Sequence, residues 1–306
     1  MKIAITCGDP SGVGPELVPA AVKAAGLRDE SEVALIGDSD WLDRARDELD
    51  GNCEVLDLGR LGGFELGNPS PAGAKLAIEA MEAAAAGCQE GKFDAVATGP
   101  ISKAKCMEVG FAFPGQTEFF ADRWGGEPTM AFVGDHLNVV LATWHIPLSS
   151  VEAALTRDCF GLAVKRAKDL GFRLGRKSPR VGVCGLNPHA GENGLMGTQE
   201  KQLYNPWLDS WRGEKYELSD CLPADTLFAR AMNGEFDVVV ALYHDQGLGP
   251  LKTVDFDSAV NVTLGLPFAR TSPDHGTAFE IAGKGVASAR SFARAIKLAE
   301  KLNDKC

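Results

Sequence analysis

Three of the five histidines stand just after short apolar runs: His145 closes VVLATWH, His189 follows VGVCGLNP, and His244 closes VVVALYH. Runs of Val, Leu and Ala of this length read as buried strands. Open α/β sheets bind their ligands at the carboxyl ends of strands. Three imidazoles delivered to that edge, with one coordination position left open, suit a catalytic divalent metal. Asp245, next to His244, can orient a ligating imidazole from behind.

Other polar motifs fall at similar places. GDPSGVGPE, residues 8–16, reads equally as a plain β–α turn and as an anion site at a helix N-terminus. It is neither a dinucleotide fingerprint nor a nucleotide P-loop. ATGPISK, residues 97–103, follows a strand-like run and ends on Lys103, which can meet an acidic ligand or simply be solvated. In PGQTEFF, Gln116 and Thr117 offer short-range donors suited to a phosphate or hydroxyl. NPHAGENG, residues 187–194, crowds Asn187, His189, Glu192 and Asn193 into one polar loop. YHDQGLGPLK ends on Lys252, and the stretch 260–285 adds Asn261 and Arg270. Lys, Arg and Asn converging is what a phosphate or carboxylate pocket requires. His136 reads as a turn residue on a hairpin, and His275 as a residue that holds loop geometry.

The elements that must position these groups alternate. KIAIT, VALIG, FDAVATG, RVGVCGL and DVVVALY read as strands. ELVPAAVKAAG, WLDRARDEL, AKLAIEAMEAAAAG, DTLFARAMNG and ASARSFARAIKLAEKLN read as helices, and 151–171 as one or two more. This is the signature of an α/β protein with a largely parallel sheet. The two ends of the chain look like parts of one domain, residues 1–124 and 266–306. Residues 125–265 form an inserted second domain that carries the histidines. The expected architecture is two-domain α/β/α with the site in the cleft between domains.

A chain of 306 residues with 45% hydrophobic and 24% charged residues is built like a soluble globular protein. Its net charge of −11 leaves no basic stripe to neutralise nucleic-acid phosphates. The start, MKIAITCGDP, lacks the apolar core of a signal peptide, and no run is long enough to span a membrane. Eight cysteines, Cys306 among them, are scattered without a C-x-x-C pair, which fits reduced core thiols and a cytoplasmic protein.

In order along nearly the whole chain, GDPSGVGPE, TGPISK, GQTEF, LNPHAGENG, LPADTLF, YHDQG and VNVTLGLPFARTSPDHGTAFEIAGKG resemble the 4-hydroxythreonine-4-phosphate dehydrogenases of pyridoxal phosphate biosynthesis. DHGTAFEIAGKG is also similar to the coenzyme loop of the isocitrate and isopropylmalate dehydrogenases. The resemblance implies the isopropylmalate-dehydrogenase-like fold, in a homodimer with active sites at the subunit interface. It implies NAD- or NADP-dependent oxidation and decarboxylation of 4-phosphohydroxy-L-threonine to 3-amino-2-oxopropyl phosphate, aided by zinc, cobalt or magnesium. His145, His189 and His244 fall on the family's metal ligands, one of them from the partner subunit. Gln116, Thr117, Lys252, Asn261 and Arg270 fall on substrate positions, and Asn187, Gly276 and Ala278 on coenzyme positions. Lys252, with Asp245, or a metal-bound water is the candidate for proton handling. Gln116 departs from the family, which has His in a G-H-T-E motif; an amide can donate a hydrogen bond but carries no proton or charge. No ribose-reading acidic residue of a Rossmann unit is recognisable, so NAD and NADP stand equal. Competing readings are a dehydrogenase of another phosphorylated hydroxy acid, such as a four-carbon aldonate phosphate, a dihydrodiol dehydrogenase, a phosphate acyltransferase of similar architecture, and a non-catalytic metal-binding protein.

Overall fold

The computed structural model describes residues 1–60 and 62–303, so Cys306 and the last residues of the expected first domain lie outside it. In chain order the described strands are β1 (Lys2–Thr6), β2 (Glu32–Gly37), β3 (Glu54–Asp57), β4 (Ala95–Thr98), β5 (Thr129–Val133), β6 (Asn138–Leu141), β7 (Arg180–Cys184), β8 (Glu217–Leu222), β9 (Val238–Ala241), β10 (Val260–Leu264) and β11 (Ala269–Pro273). Helices connect most of them, as the alternation of the sequence requires. Among the described residues two compact units result: Met1–Pro128 with residues 260–303, and Thr129–Ala259. No described helix is long and apolar enough to cross a membrane.

In the first unit the strands run β3-β2-β1-β4-β11-β10. All pair in parallel except β10 with β11. Val33–Gly37 is buried at every position, as expected of a parallel strand covered on both faces. Pro71–Gln89 packs on β1 and β2, while Gly14–Ala24 and Arg290–Leu302 pack on each other. Ser70 starts the first of these helices by accepting the Gly73 amide at 3.1 Å, with Pro71 preset in the first turn. The helix Gln116–Trp124 is anchored by aromatic packing. Phe119 and Phe120 are fully buried; Phe119 stacks on Phe111 at 5.8 Å and meets Phe120 edge-on at 5.1 Å. Truncating Phe119 to Ala should cost about 3–5 kcal/mol and loosen the helix that presents Gln116 and Thr117.

In the second unit the order is β5-β6-β9-β7-β8, with β5 and β6 an antiparallel hairpin and the rest parallel. The hairpin turn is held by buried Asp255, whose carboxylate accepts the amides of Asp135, His136 and Leu137 and lies 2.8 Å from His136 Nδ1. That accounts for His136 without a ligand. The region after His145 resolves into Val151–Ala154 and Arg157–Arg173, divided where Thr156 caps the second helix by accepting the Cys159 amide. Residues 244–255 form a further helix despite Gly247, Gly249 and Pro250. Gly247 is required there: a Cβ would lie 2.8 Å from both Leu141 and Val139.

Candidate active site

Arg270 is the centre of one polar cluster. It lies on β11, directly opposite Thr263 of β10. Alternate residues of a strand share a face, so Asn261 joins Thr263 beside it. Arg270 Nη1 donates to Asn261 Oδ1 at 3.0 Å and to Thr263 Oγ1 at 3.4 Å. Nη2 donates to Thr98 Oγ1 at 2.8 Å and to Gln116 Oε1 at 2.9 Å. Gln116 in turn donates to the Gly99 carbonyl at 3.1 Å, and Thr117 and Thr263 share a hydrogen bond at 3.2 Å. The guanidinium is 3% exposed, every one of these acceptors is neutral, and Nε has no hydrogen-bond partner. Burial pulls the Arg270 pKa down to about 9, with the Glu118 carboxylate acting in the opposite sense. A buried cation whose hydrogen bonds all go to neutral groups is compensated only at a distance, here by Glu118. Gln116, Thr117, Asn261 and Arg270 are thus brought together. Thr98 and Thr263 complete the cluster; neither was foreseen, although Thr98 lies in the ATGPISK motif.

The histidines lie in the second unit. β6 ends at Leu141 and β9 at Ala241, and these two residues are partners in the parallel pairing. His145 and His244 therefore emerge side by side, with ring centres 5.7 Å apart and planes at 39°. Given metal–nitrogen bonds of about 2.0–2.1 Å, two imidazoles on one ion hold their centres roughly 5–6 Å apart. The pair fits a divalent ion in distance and in chemistry. His244 Nδ1 is 2.7 Å from Asp245 Oδ1, which leaves Nε2 as the atom that could coordinate an ion. His189 behaves likewise, its Nδ1 3.2 Å from Glu192 Oε2. His189 is not gathered with the other two: among the described residues no three His, Cys, Asp or Glu side chains form a group able to hold a metal. It follows β7, which lies beyond β9 from β6. Asp245 and Lys252 share the helix of His244; Lys252 is eight residues on, roughly 12 Å along the axis.

The segment that carries His189 is a left-handed turn. His189, Ala190, Glu192 and Asn193 all have positive φ, between 42° and 57°. Each such residue costs roughly 1–2 kcal/mol. Glu200, 1% exposed, holds the turn: its carboxylate accepts the Asn187 amide at 2.7 Å and Asn187 Nδ2 at 2.9 Å. Asn187 Nδ2 also donates to Gln199 at 2.8 Å, so both hydrogens of this amide are engaged within the loop.

The loop bearing Gly276 and Ala278 is docked on the first Gly-rich turn. Val13 donates to the Thr277 carbonyl at 2.9 Å, and Gly283 donates to Glu16 Oε2 at 2.7 Å. A Cβ on Gly12 would lie 2.8 Å from the Thr277 carbonyl, so that turn needs glycine. Gly276 faces open space, and Ala278 has a φ of 45°. His275 Nδ1 lies 3.0 Å from the Gly276 carbonyl, the local loop contact expected of it. Beside Glu16 is a cavity of about 400 Å³ lined by Pro15, Asp38, Trp41, Arg44 and Phe64 among others. Glu16 Oε1 is buried there without a hydrogen-bond partner. Asp38, 4% exposed, directly follows β2, and burial raises its pKa. This is where a Rossmann unit keeps its ribose-reading acid.

The chain has recognisable relatives. The family model described as pyridoxal phosphate biosynthetic protein PdxA matches residues 14–299. A 4-hydroxythreonine-4-phosphate dehydrogenase of Methylorubrum extorquens is 42% identical over 327 residues, covering 98% of this chain and 94% of that protein. The crystal structure of 4-hydroxythreonine-4-phosphate dehydrogenase from Klebsiella pneumoniae superimposes with a TM-score of 0.83 at 34% identity, over 99% of each chain. A terephthalate 1,2-cis-dihydrodiol dehydrogenase from Burkholderia xenovorans is similar at TM-score 0.71 and 28% identity, over 98% of each chain.

Proposed function

Because the chain belongs to the PdxA family of pyridoxal phosphate biosynthetic proteins, we propose that it oxidises and decarboxylates 4-phosphohydroxy-L-threonine, with NAD or NADP as hydride acceptor. The observation that carries this reading is the buried Arg270, whose hydrogen bonds all go to neutral partners. The substrate brings an anion that can hydrogen-bond the guanidinium directly, which Glu118 does not do. Arg270, Asn261, Thr117 and Gln116 orient it, and orientation of this kind supplies much of a rate enhancement. Hydride leaves the carbon bearing the hydroxyl for the coenzyme, and the hydroxyl proton departs to a base, for which Lys252 is the side chain of choice. The resulting β-keto acid loses carbon dioxide and takes up a proton to give 3-amino-2-oxopropyl phosphate.

His145 and His244 would hold a divalent ion, zinc, cobalt or magnesium, with His189 of the partner subunit as third ligand. When bound, the ion supplies Lewis acidity that favours loss of the hydroxyl proton and acceptance of negative charge after carbon dioxide departs. Asp245, 2.7 Å from His244 Nδ1, would keep Nε2 for the ion. Exposed Ile146 and Leu148 beside His145, and Leu195 and Met196 after His189, suit burial in a homodimer. The coenzyme would lie against Gly276 and Ala278, with its adenosine end toward Asp38 and Glu16.

One observation favours a second substrate. Gln116 is tied at both ends of its amide, to Arg270 and to Gly99, so it cannot serve as the proton carrier a histidine could be. A four-carbon aldonate phosphate fits the same anion cluster. Comparing kcat/KM for 4-phosphohydroxy-L-threonine and 4-phosphoerythronate tests the choice. A preference for the first supports the biosynthetic reading, and a hundredfold preference for the second overturns it.

A further inference from the structure

We propose that Lys103 is a second cation of the Arg270 site and binds the substrate phosphate, an inference that rests on the functional reading above. Lys103 opens the helix Lys103–Glu108, capped by Ser102, whose hydroxyl accepts the Lys105 amide. Its side chain folds over the start of another helix. Gly115 is the N-cap of Gln116–Trp124, and a Cβ there would lie 3.6 Å from Lys103 Nζ and 3.7 Å from Cε. Gln116, the next residue, is bonded to Arg270 at 2.9 Å. Among the described residues the Lys103 ammonium has no hydrogen bond or ion pair, and Arg270 Nε is buried without a partner. Two cations with unused donors therefore flank a helix N-terminus whose first amides are unpaired by the helix itself.

The charge balance identifies the ligand. Glu118 also faces this space, its Oε2 3.2 Å from the same Gly115 Cβ point. Arg270 and Lys103 set against Glu118 leave one positive charge, to which the helix dipole adds. A phosphate monoester carries close to two negative charges near neutral pH and three acceptor oxygens, enough to engage both cations and the helix amides. A carboxylate, with one charge and two oxygens in one plane, offers less charge and fewer acceptors than the two cations and the helix amides call for. Lys103 therefore acts as a binding residue that distinguishes phosphorylated from unphosphorylated substrate.

The test compares wild type, Lys103→Met and Lys103→Arg as metal-loaded holoenzyme. With 4-phosphohydroxy-L-threonine, Lys103→Met should raise KM at least tenfold and lower kcat less than threefold, with Lys103→Arg recovering most of the loss. With unphosphorylated 4-hydroxy-L-threonine, wild type and Lys103→Met should be equal. Equal losses on both substrates, or full recovery on adding Glu118→Gln, would mean that Lys103 only neutralises Glu118 and would overturn the proposal. Inorganic phosphate binding, followed by calorimetry, separates this inference from the functional reading. If wild type oxidises neither substrate the reading fails, yet Lys103→Met must still weaken phosphate tenfold, and unchanged phosphate affinity overturns the role of Lys103.

Discussion

Replacing Arg270 with methionine should separate stability from function. The substitution removes a buried charge and the donors to four neutral acceptors: Asn261, Thr263, Thr98 and Gln116. Net bonds of this kind contribute about 1–1.5 kcal/mol each, so roughly 4–6 kcal/mol is lost. Against that, burial pulls the guanidinium pKa well below its usual range, to about 9, a penalty of about 5 kcal/mol at 1.36 kcal/mol per unit. The two nearly cancel, and the unliganded unfolding free energy should change by less than about 2 kcal/mol. Binding has no such compensation. Truncating one partner of a buried, hydrogen-bonded charge pair costs about 2–5 kcal/mol, or roughly 30- to 5,000-fold in kcat/KM. The assay is coenzyme reduction with the phosphorylated substrate, beside urea unfolding of unliganded protein and the rise in Tm on adding phosphate. Arg270→Met should keep its fold, lose the phosphate-induced rise in Tm, and lose at least thirtyfold in kcat/KM. A variant that unfolds several kcal/mol more easily yet keeps its KM would refute the reasoning, because Arg270 would then be a structural cation.

Three further outcomes follow from particular contacts. Glu300 is 2% exposed; burial alone would raise its pKa, but Lys297, the Ser31 hydroxyl and the Arg28 amide overcome that and hold it at about 2. A depressed carboxyl stabilises the fold above its unfolded pKa, and that contribution is lost as pH falls from about 4.5 through about 2. Glu300→Gln should therefore cost about 3 kcal/mol at pH 7 and roughly 1.4 kcal/mol at pH 3, measured by urea unfolding; an equal cost at both pH values would exclude the ionic account. His145→Ala and His189→Ala should each abolish bound metal and turnover, whereas dimers reassembled from an equal mixture should regain about a quarter of wild-type activity, since half are hybrids with one intact site of two. No recovery in verified hybrid dimers would place all three ligands in one chain. Asp38 and unpaired Glu16 Oε1 suit ribose hydroxyls as donors and repel a 2′-phosphate, so NAD should exceed NADP in kcat/KM by at least tenfold, and Asp38→Ser should narrow the ratio; an NADP preference would move the adenosine elsewhere.

Much of the layout was legible because parallel strands write themselves as unbroken apolar runs, as in VALIG and VVVA. Asn261, Arg270, Gln116 and Thr117 could be picked out as polar residues in turns and strand ends. Thr263 could not, since it becomes a partner of Arg270 only through the register of β10 on β11. The helix from His244 was masked by Gly247, Gly249 and Pro250, which lower its propensity but permit close packing on β6 and β9. His145 and His244 share an edge because β6 and β9 are neighbours, a pairing that follows no sequence order. The separate place of His189 depends on a left-handed turn stabilised by Glu200, eleven residues farther along the chain, and no local pattern announces such a contact.

The central claim is tested most directly by incubating the purified protein with NAD and 4-phosphohydroxy-L-threonine, following reduced coenzyme and carbon dioxide together. Equimolar NADH and carbon dioxide, both suppressed by a chelator and restored by a divalent ion, is the predicted result. No NADH from this substrate by a folded protein supplied with zinc, cobalt or magnesium would contradict the account.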